Sequence, residues 1–291
     1  MAGDGMPDAL EDVAAGIDRT FTLALGGFSL ELAGGSLVTH ERIPVSRFNH
    51  VLVDRIGPGR QTAFFERALD HYFQRALRPT VRARPPVARY VDETLRTLAF
   101  RPRPEPYVVW WARPTAAAPP VSSSEIREVG LGELDTIVNF WTEGPHRPEL
   151  RRSLDVAGHH PNPGERLTLL VAERAGVPLG SAVVFERPPI ASLHGIATVP
   201  DARGQGVASD LLARARGLPF AEEVQAVVLA TDSGRGATRL DELGFRVVRE
   251  YTEYELPADA ELTMPSPGPP QPPRWRPPRD PPPGPGPAGP D

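Results

Sequence analysis

Apolar and polar positions follow two different periods in the second half of the chain. Leu134, Ile137 and Trp141 recur at the three- and four-residue spacing of a helix that buries one face. Short apolar runs at 167–172 and 179–185 indicate buried strands, and the Ala-Gly-Val-Pro turn between them predicts a hairpin. These patterns predict a mixed α/β fold in the order β-α-α-β-β-β-α-β-α-β, with elements at 125–129, 131–141, 150–157, 167–172, 179–185, 192–199, 208–215, 224–230, 237–243 and 245–256.

Two stretches interrupt these patterns. Residues 113–123 (RPTAAAPPVSS) carry no apolar period and are typical of an interdomain linker. Residues 258–291 are dense in proline and predict a disordered tail with polyproline II character. With 291 residues the chain is long enough for two domains. We therefore expect one domain at 1–112, the linker at 113–123, a second domain at 124–257 and the tail at 258–291.

The composition excludes several kinds of protein. The chain contains no cysteine, so it forms no disulfide, thiolate zinc site or cysteine nucleophile. A formal net charge of −5 argues against a broad surface for nucleic acid. No apolar run approaches the ~20 residues that cross a bilayer, and an acidic N-terminal stretch is unlike a secretory signal. We expect a cytoplasmic protein that binds neither nucleic acid nor a membrane.

The segment 195–212 carries the clearest chemical signal. A strand ends, the turn Arg203-Gly-Gln-Gly206 follows, and an amphipathic helix begins at once. Free N–H groups at a helix N-terminus favour an anion, and glycine lets a phosphate approach the backbone closely. Gly-Lys-Ser/Thr and Gly-x-Gly-x-x-Gly phosphate motifs do not fit this turn. The alternatives at this point are a diphosphate-binding turn and an ordinary strand-to-helix turn.

The segment 203–208 (RGQGVA) resembles the Arg/Gln-x-x-Gly-x-Gly/Ala signature of the GNAT acyltransferase superfamily. Leu243-Gly244-Phe245 and the order of elements over 124–257 also match that family. The resemblance implies a GNAT-like mixed sheet flanked by helices, acetyl-CoA as cosubstrate without a metal, and transfer of the acyl group to an amine by direct attack. It implies that coenzyme A is bound by Ile196, Ala197, Thr198, Arg203, Gly204, Gln205, Gly206, Val207 and Ala208, where the strand of 196–198 diverges from that of 224–230.

The sequence departs from the family pattern in the catalytic groups. The tyrosine that often protonates the leaving thiolate is replaced by Leu240, and the asparagine at the start of that helix by Ser233. Glu143 and His194 are the candidate catalytic bases. His194 could equally be a buried structural histidine. His146, in the loop between the first two helices, is a further candidate base. Asp232 is a candidate contact for the amine, with an ordinary turn carboxylate as the alternative. Tyr251 and Tyr254 are the nearby phenols, with a packing role as the alternative, and the pair His159-His160 lacks a third metal ligand.

A short segment of the first half is similar in sequence to a segment of the second half. Residues 94–101 (TLRTLAFR) are similar to residues 239–246 (RLDELGFR), and a strand follows each. This similarity implies a second, degenerate GNAT-like domain at the N-terminus. Its turn, Gly57-Pro-Gly-Arg60, lacks the signature, and Pro58 removes an N–H donor, so we expect no coenzyme A there. We expect this half to cover the acceptor side of the cleft or to form a pseudo-dimer with the second half.

Two other functions compete with an N-acetyltransferase. The chain could be an acyl-CoA-binding or scaffold protein without catalysis, or an interaction module that uses its proline-rich tail. We expect acetyl-CoA and an amine acceptor as partners. The chain is expected to be a monomer with pseudo-dimeric halves or a homodimer.

Overall fold

A computed structural model of the chain describes residues 6–115, 122, 124–141, 145–232 and 237–257. Most of the predicted linker, Glu143, Ser233 and the predicted tail lie outside the described residues, so the expectations for them stay predictions. All of these described residues belong to one compact unit. The boundary between two domains at 113–123 stays a prediction as well.

The second half follows the predicted order of elements, with ends that differ by a few residues. Its helices are α5 (Leu134–Trp141), α6 (Arg147–His159), α7 (Val207–Arg216) and α8 (Ala237–Glu242), and α5 follows a 3-10 turn at Leu131–Glu133. Its strands are β7 (Glu125–Val129), β8 (Arg166–Arg174), β9 (Val177–Arg187), β10 (Ile190–Thr198), β11 (Ala226–Asp232) and β12 (Arg246–Glu255). The predicted hairpin is formed by β8 and β9. Its turn residues Ala175 and Gly176 both have positive φ, which matches the twist of a tight hairpin.

Residues 6–112 of the first half form four α-helices and six strands. The helices are α1 (Asp8–Ala15), α2 (Ile17–Ala24), α3 (Gln61–Phe73) and α4 (Pro85–Thr97). The strands are β1 (Phe28–Leu32), β2 (Gly35–Thr39), β3 (His50–Val53), β4 (Thr80–Ala83), β5 (Arg101–Pro102) and β6 (Tyr107–Ala112). The strand predicted after residues 94–101 is β6, whereas α1, α2, β1 and β2 were not predicted.

The strands of both halves join in one mixed sheet. Its order is β1-β2-β3-β4-β12-β6-β11-β10-β9-β8-β7, and β5 pairs with β12. In each half a crossover helix connects two parallel strands. In the first half α3 connects β3 to β4, and in the second half α7 connects β10 to β11. The first half therefore repeats the β-α-β-α-β order of the second half, as expected for a degenerate GNAT-like domain.

The last strand of each half pairs with the other half. β6 pairs with β11 through residues 107–112, and β12 pairs with β4 through residues 252–254, both antiparallel. β6 and β12 also pair with each other at the centre of the sheet. This reciprocal exchange brings side chains of the first half, such as Tyr107 and Arg82, next to the ends of β11 and β12.

Helices cover both faces of this sheet. α7 packs its buried side, including Leu211 and Ala215, against β8, β9 and β10. α5 and α6 pack on the opposite face against Leu169, Val171 and Val183. No helix among the described residues is both long enough and apolar enough to cross a bilayer.

Candidate active site

The glycine-rich turn connects β10 to α7. Gly204 and Gly206 have φ angles of 77° and 87°, a left-handed conformation that glycine adopts without strain. Gly206 is the N-cap of α7 and offers no side-chain acceptor, so the first N–H groups of the helix have no side-chain cap. A Cβ at Gly204 would have no atom within 4 Å, so the turn faces open space. An anion could therefore reach both the backbone donors and the positive end of the helix dipole.

The side chain of Gln205 in this turn is held by Asp201 and Arg174. The Gln205 amide donates to the carbonyl of Asp201 at 2.6 Å and accepts from Arg174 Nη1 at 3.0 Å. Arg203 is exposed, whereas Val207 is 1% exposed and anchors the first turn of α7 in the core. The predicted coenzyme A residues 203–208 therefore form one continuous, rigid segment at the surface.

β10 separates from β11 just before the turn. The parallel pairing of the two strands ends at Leu193 and Leu229, as the predicted divergence requires. The register of β10 with β9 shifts between His194 and Ala197, and Gly195 in this bulge has a φ angle of 56°. Residues 196–198 thus have no partner in β11, although Ala197 and Thr198 still pair with β9. Their backbone groups on the β11 side face the opening between the two strands.

Trp141 holds this bulge in place. Its indole nitrogen donates to the Gly195 carbonyl at 2.7 Å. A Cβ on Gly195 would overlap the indole ring, so glycine is required here for both space and backbone conformation. α5 ends at Trp141, which means that the end of this helix sets the position of the bulge.

A cavity of about 1070 Å³ opens between the diverging strands. Its lining includes Ile196, Thr198 and all of 202–209 from the second half, and Leu240 from α8. The opposite side is lined by residues of the first half, namely Val45, Ser46, Arg47, Arg82, Arg103 and Tyr107. The first half therefore does contribute one side of the cleft, which was one of the two arrangements expected from the sequence.

A network of charged side chains lies along the first-half side of this cavity. Arg82 donates from Nη1 to Asp18 Oδ2 at 2.7 Å and from Nε to Glu253 Oε1 at 2.9 Å. Arg103 donates to Glu253 Oε2 and to Asp232 Oδ2, both at 3.0 Å. Arg82, Asp18 and Glu253 are at most 6% exposed, so their charges depend on one another for stabilisation.

The charge state of this network follows from its contacts. Burial by itself raises the pKa of Asp18, but the charges of Arg82 and Arg47 outweigh it and hold that pKa well below its usual range. Burial raises the pKa of Tyr107, so its hydroxyl stays protonated. This hydroxyl donates a hydrogen bond to Asp18 Oδ2. The guanidinium of Arg82 lies 3.7 Å from the centroid of the Tyr107 ring, which adds a cation–π contact.

His194 is enclosed on β10. Its ring stacks on Phe21 with centroids 3.8 Å apart, and the side chain is 1% exposed. Its Nε2 is hydrogen-bonded to Ser192 Oγ at 2.8 Å, and the Ser192 hydroxyl also lies 3.2 Å from the carbonyl oxygen of Phe185. Burial, and then the charge of Arg47, lowers the pKa of His194 to about 3. A ring with that pKa is a weak base near neutrality, and these contacts favour the structural role.

The remaining candidates lie in different surroundings. Leu240 is 4% exposed and both packs in the core and lines the cavity, so its side chain points inward. Tyr251 and Tyr254 are buried in clusters around the first half, and burial raises the pKa of both. Asp232 lines the cavity and is bound by Arg103.

No histidine among the described residues, His194 included, belongs to the cavity lining. His146 is half-buried at the N-cap of α6. His159 and His160 are exposed at the end of the same helix, and His159 bonds the carbonyl of Asp155. Glu143 lies outside the described residues, and its role as a base stays a prediction.

The sequence analysis missed the charged residues of the first half. Arg47, Arg82 and Arg103 reach the cavity because of the strand exchange and because of the loop 40–49. The available signal was an arginine inside the apolar strand 80–83 and a glutamate in the final strand, since a charge in a buried strand needs a partner.

The model of the Acetyltransferase (GNAT) family matches residues 134–245. None of the curated proteins matches the chain. A conserved protein of unknown function from Staphylococcus epidermidis has a similar structure, with a TM-score of 0.61, 13% identity, and coverage of 80% of this chain and 95% of its own. A GCN5-related N-acetyltransferase from Kribbella flavida has a TM-score of 0.56, 15% identity, and coverage of 84% and 96%.

A GCN5-related N-acetyltransferase from Sphaerobacter thermophilus also has a TM-score of 0.56, with 16% identity and coverage of 79% of this chain and 78% of its own. At these identities the likeness concerns the fold, and its coverage extends into both halves of the chain. Together with the family match, it identifies a GNAT acetyltransferase domain in the second half of the chain, as the sequence analysis expected.

Proposed function

We propose that the chain is an acetyl-CoA-dependent N-acetyltransferase that acetylates an amine of a small molecule or peptide. The observation that carries the proposal is the continuity of the site. The glycine turn, the bulge of β10 and the end of β11 line one cavity, and the first half lines the facing side. A site of this form can hold an acyl-CoA on one side and an acceptor on the other.

The turn residues are suited to the diphosphate of coenzyme A. N–H groups of Gly206, Val207 and Ala208 at the start of α7 would donate to it, and Arg203 would add a positive charge at the surface. The open space at Gly204 supports this fit. The exposed backbone of Ile196, Ala197 and Thr198 would pair with the pantetheine arm, because the divergence of β10 leaves these residues without a partner in β11.

The acyl transfer needs a neutral amine. A lysine-like amine with a pKa of ~10.4 is neutral in about 0.04% of molecules at pH 7, which corresponds to ~4.6 kcal/mol. The neutral amine attacks the acyl carbon, the carbon–nitrogen bond forms, the carbon–sulfur bond breaks, and the thiolate leaves with the electron pair. The surplus amine proton passes to a base or to water. Glu143 remains the proposed base, since the contacts of His194 favour a structural role.

Leu240 supports a second candidate function. It lies in the cavity lining where a proton donor for the thiolate is common in the family, and leucine has no proton to donate. A protein that binds acyl-CoA without transferring the acyl group would tolerate this residue. A transferase also tolerates it, because a thiolate leaves without prior protonation, at a lower rate.

Release of free thiol from acetyl-CoA separates these candidates. The chain has no cysteine, so every thiol detected with a disulfide reagent comes from coenzyme A. We expect release that depends on the added amine, together with a product heavier by one acetyl group. Binding of acetyl-CoA by calorimetry without release for any amine would support the binding protein. Absence of acetyl-CoA binding would reject both candidates.

A further inference from the structure

The charged side chains on the first-half side of the cavity form a row in which positive and negative groups alternate. Arg47 Nε lies 3.7 Å from Asp18 Oδ1, while Asp18 Oδ2 accepts from Arg82. Glu253 accepts from Arg82 with one oxygen and from the next arginine with the other. The full row runs in the order Arg47, Asp18, Arg82, Glu253, Arg103 and Asp232.

The two ends of this row differ from its interior. Each interior member has charged neighbours on both sides, and Glu255 adds a further contact to Arg103 at 3.9 Å. Arg47 and Asp232 each have one charged neighbour among the described residues. Their side chains are also more exposed, 33% for Arg47 and 41% for Asp232, and both line the cavity. Each end can therefore bind a further charged group of a ligand. Arg47 can bind an anionic group, and Asp232 can bind a cationic group.

The two end residues of the row, Arg47 and Asp232, both lie at β11. Arg47 Nη2 donates to the carbonyl of Ala230 at 2.9 Å, and Asp232 is the last residue of β11. Two residues along a strand span about 7 Å. The carbonyl of Ala230 lies beyond the last pair with β10, so Arg47 occupies the opening between the diverging strands.

The loop that carries Arg47 is held rigidly. Buried Asn49 accepts from the N–H of His40 and donates to the carbonyls of Ile43 and Val45. His40 Nδ1 in turn accepts from the N–H of Ile43 at 3.2 Å. These bonds close the loop over residues 40–49 and fix the 3-10 turn Ser46–Phe48 at the cavity. A guanidinium held in this way loses little entropy when it binds an anion.

From this arrangement we infer that the acceptor is a small zwitterion, an amino acid whose amine and carboxylate lie close together. The inference rests on the proposed function. Arg47 would bind the carboxylate, since a guanidinium keeps its charge and donates two parallel hydrogen bonds to such a group. Asp232 would bind the ammonium before it loses its proton. The two ends of the row thus offer one group of each sign, which matches the two charges of a zwitterion.

The test compares each amino acid with its own amide and its decarboxylated amine, by thiol release from acetyl-CoA. We expect kcat/KM to be about 10- to 100-fold higher for the amino acid, as for a charge-assisted hydrogen bond. In Arg47→Gln this preference should fall to near one. Arg47→Lys should keep part of it. The matched control is Arg42→Gln, because Arg42 lies in the same loop, is 70% exposed and does not line the cavity.

The outcomes separate this inference from the proposed function. Unchanged melting temperature and acetyl-CoA affinity in Arg47→Gln would show that the variant is folded. Thiol release that is equal for amino acids and their amides would overturn the zwitterion while keeping the transferase. An equal fall for both acceptors in Arg47→Gln would also overturn it, since the residue would then act on the acyl side. Absence of thiol release with every amine would reject the proposed function, and the inference with it.

Discussion

The indole N–H of Trp141 is bonded to the carbonyl of Gly195, 54 residues further along the chain. This bond connects the end of α5 to the bulge at which β10 leaves β11. The ring also fills the space that a side chain at Gly195 would need. Trp141 thus fixes the direction in which β10 continues and requires glycine at position 195. This is the strand that would pair with the pantetheine arm.

Replacing Trp141 with phenylalanine should impair the reaction more than the fold. Trp141→Phe keeps a ring beside Gly195 and removes the N–H donor, so we expect the free energy of unfolding to fall by about 1 kcal/mol. A small displacement of residues 196–198 should lower kcat/KM for acetyl-CoA by roughly 10-fold or more. Trp110→Phe is the matched control, because the buried Nε1 of Trp110 has no hydrogen-bond partner in the described part of the chain. Equal losses in both variants would contradict a positioning role for Trp141.

The buried charge network makes a prediction about stability. Asp18→Asn removes the negative charge between Arg47 and Arg82 and leaves two guanidiniums without it. Breaking a buried pair on one side typically costs ~3–5 kcal/mol. We expect a loss of that size in the free energy of unfolding, measured by denaturant titration.

Asp135→Asn is the control for that titration. Asp135 is 74% exposed and pairs with Arg151 at 2.9 Å, and exposed pairs contribute ~0–1 kcal/mol. A change in Asp18→Asn as small as in Asp135→Asn would mean that the network contributes little to the fold.

Acid should destabilise the protein partly through His194. The ordinary pKa of a histidine is 6.5, and burial lowers that of His194 to about 3 in the folded chain. Between these values the unfolded chain binds a proton that the folded chain does not, so stability falls as the pH is lowered from 6.5 toward 3. His194→Asn should reduce that slope by about 1 kcal/mol per pH unit.

The control histidine is exposed. His160→Asn replaces an exposed histidine at the C-cap of α6 and serves as the comparison variant. Denaturant titrations between pH 4.5 and pH 7 measure both slopes. A slope in His194→Asn equal to that of the wild type would contradict the burial argument.

The sequence predicted the second half well because its signals are local. The period of Leu134, Ile137 and Trp141, the hairpin turn and the glycines of 203–206 each depend on neighbouring residues. The divergence of β10 from β11 followed from the family resemblance.

The exchange of β6 and β12 could not be predicted in the same way. It depends on pairing between residues more than 100 positions apart, such as Tyr107 with Asp232, and no local period encodes such a pairing. The row from Arg47 to Asp232 was missed for that reason. The first-half strands β1 and β2 had a usable signal, the alternation of Phe28, Leu30 and Leu32 before a glycine turn.

Binding of acetyl-CoA by the turn before α7 is tested most directly by calorimetry with acetyl-CoA on Gly206→Glu. The new carboxylate would lie at the N-terminus of α7 where the diphosphate is expected. Gly164→Glu is the matched control, because Gly164 also has a positive φ, 80°, and lies in an exposed turn outside the cavity lining. The account predicts that wild type and Gly164→Glu bind acetyl-CoA and that Gly206→Glu does not, with the fold retained in all three. Equal affinity in Gly206→Glu and the wild type would contradict it.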